Sequence, residues 1–481
     1  MINHQNKIKA LTLIKEFNKN KNSLSVTLTG SYSEHFDLDK AGDIDLIIIC
    51  KQLDKTYFDN CIKKLKNLKK RIFGNKHELI INNTFGPIKF YKKDSIVFHI
   101  MIYDLSSHID HTVKSPFTCY DWERSKVYIG KSLKELSPVF NLQLRDFYEA
   151  RRSTKEYLND ILKNRISFRK YIFKKNKYNL KKEYFLIDEV NKRDFIYHTI
   201  KFLLINYIKY EKNLNILIKE TDIDKKFYEI VKNKTLLKKF KELRKLKNKK
   251  SNRNINDSKQ LAIKFIEKFD KFIKNEFNKN KLIMFTRHKK TYLNNGVFLG
   301  QKSNPGISNK KIPHYIKKVK ADYLISSPSK RCVDTAKLIY GNKDILINNK
   351  LKEIDYGKAE KLTFIELKKR YPQIVQMWTK GGDPKFPKGE STSDVLIRLN
   401  RFLKSDLKFN KFKLKRNIFI ITHNVVLRCL VGSKFNIKMK DWFKINIDYF
   451  DLLEFILEKN RLRPNINRKK FLNIFNNLYL K

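Results

Sequence analysis

A multidomain α/β protein is what this sequence predicts, and three observations carry that expectation. Short aliphatic runs, DIDLIIIC near the start and KLIMFTRH, ADYLISSP and NIFIITHN near the end, alternate with helical periodicity. Between the two sets, from about 141 to 240, long helical patterns such as DFIYHTIKFLLINYIKY run almost without Gly or Pro. The chain has 481 residues, more than one ordinary core serves. The expected order is a small α/β domain (1–135), a helical region with a basic linker (136–278), a doubly wound α/β domain (279–460) and a basic C-terminal tail (461–481).

In chain order, residues 5 to 20 read as an amphipathic helix, VTLTGS as a strand entering a turn, and DIDLIIIC as a second strand. A Lys-rich helix near 54–72 and a strand pair near 78–91 and 95–104 complete the first unit. KELRKLKNKKSNRNINDSK, 241–259, gathers like charges and polar residues; it marks a solvated helix end or a linker, and a domain boundary is expected there. After one more helix the strands return with polar residues at their carboxyl ends, the pattern of a parallel sheet with its site at those ends. The sequence contains no internal repeat.

Composition narrows the class. With 41% hydrophobic and 13% aromatic residues, the chain has the means to fold. Lys plus Arg number 105 against 49 acids, a formal charge of +56 that points to polyanionic partners. The lysines are spread along the chain with Asn and Ile, residues of A- and T-rich codons, so base composition accounts for much of the charge. Nucleic acid is therefore the lesser expectation, while phosphorylated metabolites are drawn in by the same field. Cysteines at 50, 61, 119, 332 and 429 form no CxxC pair, and an odd number cannot all pair within one chain, which fits a reducing cytoplasm. The N-terminal stretch is broken by lysines before any apolar core of signal length, and no run approaches the roughly 18 apolar residues of a membrane span.

Two constellations carry chemistry. In LTGSYSEHFDLDKAGDIDLIIIC, residues 28–50, Asp43 and Asp45 are two apart, so on a strand both leave one face while Ile44 and Leu46 leave the other. Paired acids repel unless something positive joins them. A polar strand edge is the plain reading and a divalent-metal clamp the sharper one. Further on, TRHKKTYLN places Arg287 and His288, and ITHN places His423, at the ends of aliphatic strands. Arg331 in SSPSKRCVDTA and Glu353 in LKEIDYG also follow strand-like segments, where a doubly wound sheet builds its crevice.

The ordered blocks TRHKKTYLN, LGQKSNPGI, LISSPSKRCVDTA, LKEIDYGKAEKLT, FPKGESTSDVLIR and IITHNVVLR, over about 280–457, resemble the histidine phosphatase superfamily, the phosphoglycerate mutase-like enzymes. The resemblance makes His288 the nucleophile that becomes a phosphohistidine, Arg287, Arg331 and His423 the phosphate pocket, and Glu353 the proton donor to the leaving oxygen, with no cofactor. Guanidinium forks suit phosphate oxygens, nearby positive charge keeps His288 neutral, and desolvation lets Glu353 act as an acid. The sequence departs from the family pattern at Lys289, Lys361 and Asn424, where Gly is usual, and at Ala359, where Trp is common. Those changes leave the core charges and bear on substrate identity. With no long insertion after Glu353, hydrolysis is expected rather than mutase chemistry.

Gly30-Ser31, eleven residues, then Asp43-x-Asp45 and an aliphatic strand resemble the nucleotidyltransferase superfamily in its kanamycin-nucleotidyltransferase-like branch, over about 20–110. The resemblance implies that Gly30 turns the chain, that Ser31 and its N–H hold a nucleoside triphosphate, and that Asp43 and Asp45 hold Mg²⁺ between the phosphates and an attacking hydroxyl. It also puts the helical region where that branch often binds a small acceptor. In SIVFHIMIYD the family's third carboxylate position falls on His99, with Asp104 five residues on and on the opposite face, so His99 and Asp104 are the candidates for a further metal ligand. His35 reads as a solvated loop residue, His198 as a core histidine, and Arg151 and Arg152 as an exposed helix face.

The resulting expectation is a bifunctional cytosolic enzyme, transferring a nucleoside monophosphate to a small acceptor and hydrolysing a phosphomonoester. The alternatives are a phosphatase with a non-catalytic nucleotide-sensing front half and, on charge alone, an RNA-binding or RNA-modifying protein, for which no RNA-binding motif is evident.

Overall fold

The computed structural model describes residues 4–18, 21–37, 43–74, 78–86, 95–175, 177–247, 255–309, 311–407, 417–458 and 461–479. The chain divides into two compact units, Met1–Lys274 and Asn275–Lys481.

The first unit holds strands β1 (Ser23–Thr29), β2 (Ile44–Cys50), β3 (Glu78–Asn82), β4 (Ser95–Asp104) and β5 (Tyr128–Gly130) in one sheet of order β3-β4-β2-β1-β5. β3, β4 and β2 run parallel; β1 runs antiparallel to β2 and β5. Alternation on β2 and β4 sends Ile44, Leu46, Ile48, Phe98, Ile100 and Ile102 into a core with Leu13, Ile14, Tyr57 and Leu65 of helices His4–Asn18 and Lys55–Phe73. Asp45 and His99 therefore lie on the other face. The outer part of the expected 78–91 strand, 87–91, lies outside the described residues, as does 248–254 of the expected linker.

Residues 136–278 differ from the all-helical expectation. β6 (Arg165–Lys174) and β7 (Lys177–Leu186) form an antiparallel hairpin. Ile166, Phe168, Tyr171, Ile172 and Phe173 supply the β-branched and aromatic content of a strand. Tyr171 and Phe173 then pack on Phe58, with ring centroids 4.7 and 5.3 Å away, so tertiary contact holds what the helical flanks obscured. The remaining helices include Leu144–Leu162, Glu189–Lys212, Glu220–Val231, Lys234–Leu246 and Ile255–Lys279. Phe227, Phe240 and Phe265 stack in their core.

The second unit is built on β8 (Lys281–Arg287), β9 (Tyr323–Ser326), β10 (Ile345–Ile347), β11 (Ile418–Thr422), β12 (Leu452–Glu458) and β13 (Arg461–Pro464), in the order β10-β9-β11-β8-β12-β13. The first four in that order are parallel and the last two join antiparallel. Residues 461–479, expected as a basic tail, are folded: β13 pairs with β12, and helix Arg468–Tyr479 buries Phe471 and Phe475 against Phe435. Two aromatics four apart on one helical face outweigh the basic residues around them. Among the described residues no helix is long and apolar enough to cross a membrane, and all five cysteines are buried thiols outside any disulfide.

Candidate active sites

In the second unit the parallel strands end level, Thr422 pairing with Arg287 and Ile421 with Ser326. The ladder continues one residue further, the His288 N–H donating to the Thr422 carbonyl and the Ser327 N–H to the Ile421 carbonyl, each at 3.0 Å. His288, Ser327 and His423 thus leave the sheet together, and the two imidazole centroids are 5.1 Å apart. His288 Nδ1 lies 2.7 Å from the Lys289 carbonyl, which can only accept, so the proton sits on Nδ1 and Nε2 keeps its lone pair. Burial, with Arg331 and Arg287 adding to it, holds the His288 pKa well below the ordinary value. Both place a neutral imidazole here, with its lone pair on Nε2.

Arg331, buried at the start of helix Lys330–Tyr340, donates to the carbonyls of Ser303 (3.1 Å) and Gly300 (2.9 Å) and, through Nε, to His423 Nδ1 (3.3 Å). Accepting at Nδ1 makes His423 the Nε2–H tautomer, which donates to Ser327 Oγ at 2.8 Å. Burial and then Arg331 push its pKa well down as well. Arg287 donates to the Ile447 carbonyl at 2.8 Å and stacks on Tyr449 at 4.0 Å, while its buried Nε meets no acceptor among the described residues. Glu353 is buried, with Oε1 accepting the N–H groups of Ile354 (3.1 Å) and Val425 (3.2 Å). Burial raises its pKa against the pull of Arg331. Two imidazoles, two guanidinium groups and a buried carboxyl with a raised pKa are gathered at one sheet end.

Sequence reasoning passed over Arg398, Ser327 and Tyr449. Arg398 donates to the carbonyls of Glu353 (3.0 Å), Lys350 (2.8 Å) and Lys352 (2.7 Å) and pairs with Glu390, which holds the Glu353 segment in place. Its one sequence signal was an arginine closing the FPKGESTSDVLIR block. The departures from the family pattern also have positions. Lys289 Nζ donates to the Lys311 carbonyl at 2.7 Å rather than reaching solvent, Lys361 holds φ +68°, and the Asn424 Oδ1 is buried without a partner among the described residues.

In the first unit a row of polar residues crosses four strands, Asn82, His99, Asp45 and Thr29 being successive register partners. His99 Nδ1 lies 2.9 Å from Asp45 Oδ1 and Nε2 lies 2.9 Å from the Thr84 carbonyl. Asp43, Asp45 and His99 offer ligand atoms that all fall within 4.8 Å, a donor set that fits a divalent cation. Burial opposes charge on His99, but the Asp45 carboxylate outweighs it and raises the pKa. Gly30 has φ +71°, and a Cβ there would come 2.3 Å from Asp45 Oδ2, so glycine is what lets the turn pass the carboxylate. Ser31 is exposed in the first turn of helix Gly30–His35.

Asp104 is elsewhere. β4 runs on unbroken, so Asp104 pairs with Cys50 at the far end of β2, and its carboxylate caps helix Leu105–Lys114 by accepting the Ser107 N–H at 2.8 Å. Of the two candidates for a further ligand, His99 alone joins the aspartates. His35 is exposed, His198 is half-buried against Tyr197, Arg151 pairs with Asp270 at 2.7 Å, and Arg152 is exposed.

Residues 283–466 match the family model described as the histidine phosphatase superfamily (branch 1), and this C-terminal domain belongs to that superfamily. Among curated relatives, Bifunctional protein Rv2228c of Mycobacterium tuberculosis is 36% identical over 80 residues, 16% of this chain and 22% of that one. Fructose-2,6-bisphosphatase of Saccharomyces cerevisiae is 29% identical over 109 residues, 22% of each chain. The chain thus spans about a fifth of the length of these relatives. Among solved structures, Bacillus stearothermophilus YhfR is 20% identical, covering 39% of this chain and 96% of its own, with a TM-score of 0.35.

Proposed function

We propose that the C-terminal domain hydrolyses a phosphomonoester of a small metabolite through a phosphohistidine. The observation that carries this reading is His288 Nε2, a lone pair on a buried imidazole close to two arginines and to a glutamate whose pKa burial raises. Arg287, Arg331 and His423 hold the phosphate oxygens. His288 Nε2 forms a bond to phosphorus as the ester P–O bond breaks, and Glu353 delivers its proton to the departing oxygen. Water then attacks the phosphohistidine, Glu353 takes back a proton, and phosphate leaves with His288 neutral again. His288→Ala is expected to abolish turnover and the acid-labile phosphoenzyme, with chelators leaving the wild type active. Full activity in that variant, or loss on chelation, rejects the assignment.

We further propose that the N-terminal domain binds a nucleoside triphosphate and transfers its nucleoside monophosphate to a small acceptor. Gly30 and Ser31 would face the phosphates. A divalent ion, Mg²⁺ on the family pattern, would be held by Asp43 and Asp45 and would supply charge neutralisation at the triphosphate. Changing both aspartates to Asn is expected to eliminate metal-dependent nucleotide binding and pyrophosphate release; equal binding by both proteins leaves Asp43 and Asp45 a structural role only. A second reading, a nucleotide sensor without transfer, is favoured by His99 standing in place of a third acid. Binding with no pyrophosphate release on any acceptor selects it.

A further inference from the structure

We propose that Arg169, His108, His111 and Tyr103 form an anion site in the first unit, one that takes the phosphate group of a small phosphomonoester. The inference goes beyond both proposed activities and uses none of their residues; in the transferase reading the phosphate would belong to the acceptor. It starts from polar atoms with nothing to bind. His108 is 1% exposed and Tyr103 3%, yet both ring nitrogens of His108 and the Tyr103 hydroxyl meet no hydrogen-bond partner among the described residues. Buried polar groups are ordinarily paired, because a bare one forfeits its hydration. Beside them, the Arg169 guanidinium has neither a hydrogen-bond acceptor nor a carboxylate partner among the described residues.

Three elements bring these groups together. Tyr103 lies four residues beyond His99 on the same face of β4, roughly 13 Å along the strand. Helix Leu105–Lys114 follows at once and stacks the His111 ring on Tyr103, centroids 5.2 Å apart, with the His108 ring 6.1 Å from Tyr103. β6 supplies the cation. Arg169 and Phe85 exchange both backbone hydrogen bonds, each 2.8 Å, and the Phe85 ring lies 5.1 Å from Tyr103. Arg169 and Tyr171 leave one face of β6, and Tyr171 Oη accepts the Ile102 N–H at 2.9 Å, so that face is turned to the end of β4. Burial lowers the His108 pKa to about 4; burial, then His108 and Arg169, lowers that of His111 to about 3. Both imidazoles are neutral, and each keeps one N–H donor. A guanidinium, two imidazoles and a phenol all donate. Such a set outnumbers the two oxygens of a carboxylate and suits the three of a phosphate ester.

The test follows the imidazole ¹⁵N resonances of His108 and His111 in the full-length chain, assigned with His108→Phe and His111→Phe. The probes are inorganic phosphate, ethylphosphonate as an ester mimic that cannot be hydrolysed, and acetate. Reading at these two rings separates the site from the one at His288. Both resonances are expected to shift and saturate with phosphate and with the phosphonate, and far less with acetate. Arg169→Gln is expected to weaken the phosphate titration roughly 10- to 100-fold, the factor carried by one charge-assisted hydrogen bond. Arg169→Lys, which keeps the charge without the fork, is expected to lose less. His108→Phe fills similar space without nitrogen, so a purely structural His108 would leave phosphate affinity at His111 unchanged. Rings that ignore phosphate, an equal response to acetate, exclusion of the phosphonate, or unchanged affinity in Arg169→Gln or His108→Phe overturns the proposal. Should His108→Phe fail to fold, the two variants at the half-buried Arg169 still decide. Nucleoside triphosphate binding is measured alongside: a ring response to phosphate without it supports this site and counts against the transferase reading, and nucleotide binding without any ring response overturns this site alone.

Discussion

Glu353 and His288 are pushed in opposite directions by the same burial, each toward its neutral form. The sign of the pH dependence follows. His288 stays unprotonated at pH values below its ordinary titration, so nucleophilicity is lost only in stronger acid. Glu353 keeps its proton above the ordinary carboxylate range, so activity falls as pH rises through that raised pKa. Glu353→Gln is expected to remove this alkaline limb and to lower kcat on an alkyl phosphate by roughly 10²–10⁴-fold. 4-Nitrophenyl phosphate, whose leaving group departs without a proton, loses far less. An alkaline limb that survives in the variant places the proton donor elsewhere.

Elements place these residues, and the turn between β1 and helix Gly30–His35 shows how little freedom they have. An alanine at Gly30 would keep φ +71° at a cost of about 1–2 kcal/mol and would also press its Cβ on Asp45 Oδ2. Gly30→Ala is therefore expected to lower Tm by roughly 2–8 °C and to weaken divalent-cation binding together with it. Gly296→Ala is the comparison, since Gly296 has φ +90° but no atom within 4 Å of the added Cβ. It shares the conformational strain and leaves the cation site alone. Equal cation affinity in Gly30→Ala and wild type shows that the approach to Asp45 is without consequence.

At the scale of the molecule, every strand of the second sheet and the five residues proposed for phosphate chemistry fall within Asn275–Lys481. A fragment beginning at Asn275 is expected to fold and to hydrolyse phosphomonoesters within a few-fold of the full chain, because a unit of this length can bury its own core. Circular dichroism and turnover measured side by side decide it. A soluble, folded fragment without activity refutes the expectation.

What was legible in the sequence was local chemistry with periodicity: aliphatic strands with Arg287, His288 and His423 at their ends, the same-face spacing of Asp43 and Asp45, and the turn glycine, Gly30, after the first strand. Those signals lie within a few residues of one another, so no fold is needed to read them. Register decided the rest. The pairing of β2 with β4 sets His99 opposite Asp45 and leaves Asp104 five residues on, opposite Cys50; a strand slipped by one residue would turn His99 to the other face. The hairpin β6–β7 was hidden because its aromatics gain by packing on Phe58, more than 100 residues earlier in sequence. Arg398 and Ser327 became visible only when separate blocks converged on Glu353 and His423. Sequence carries a side chain's type and its face; only tertiary structure sets its partner, because partners are chosen by contacts between distant segments.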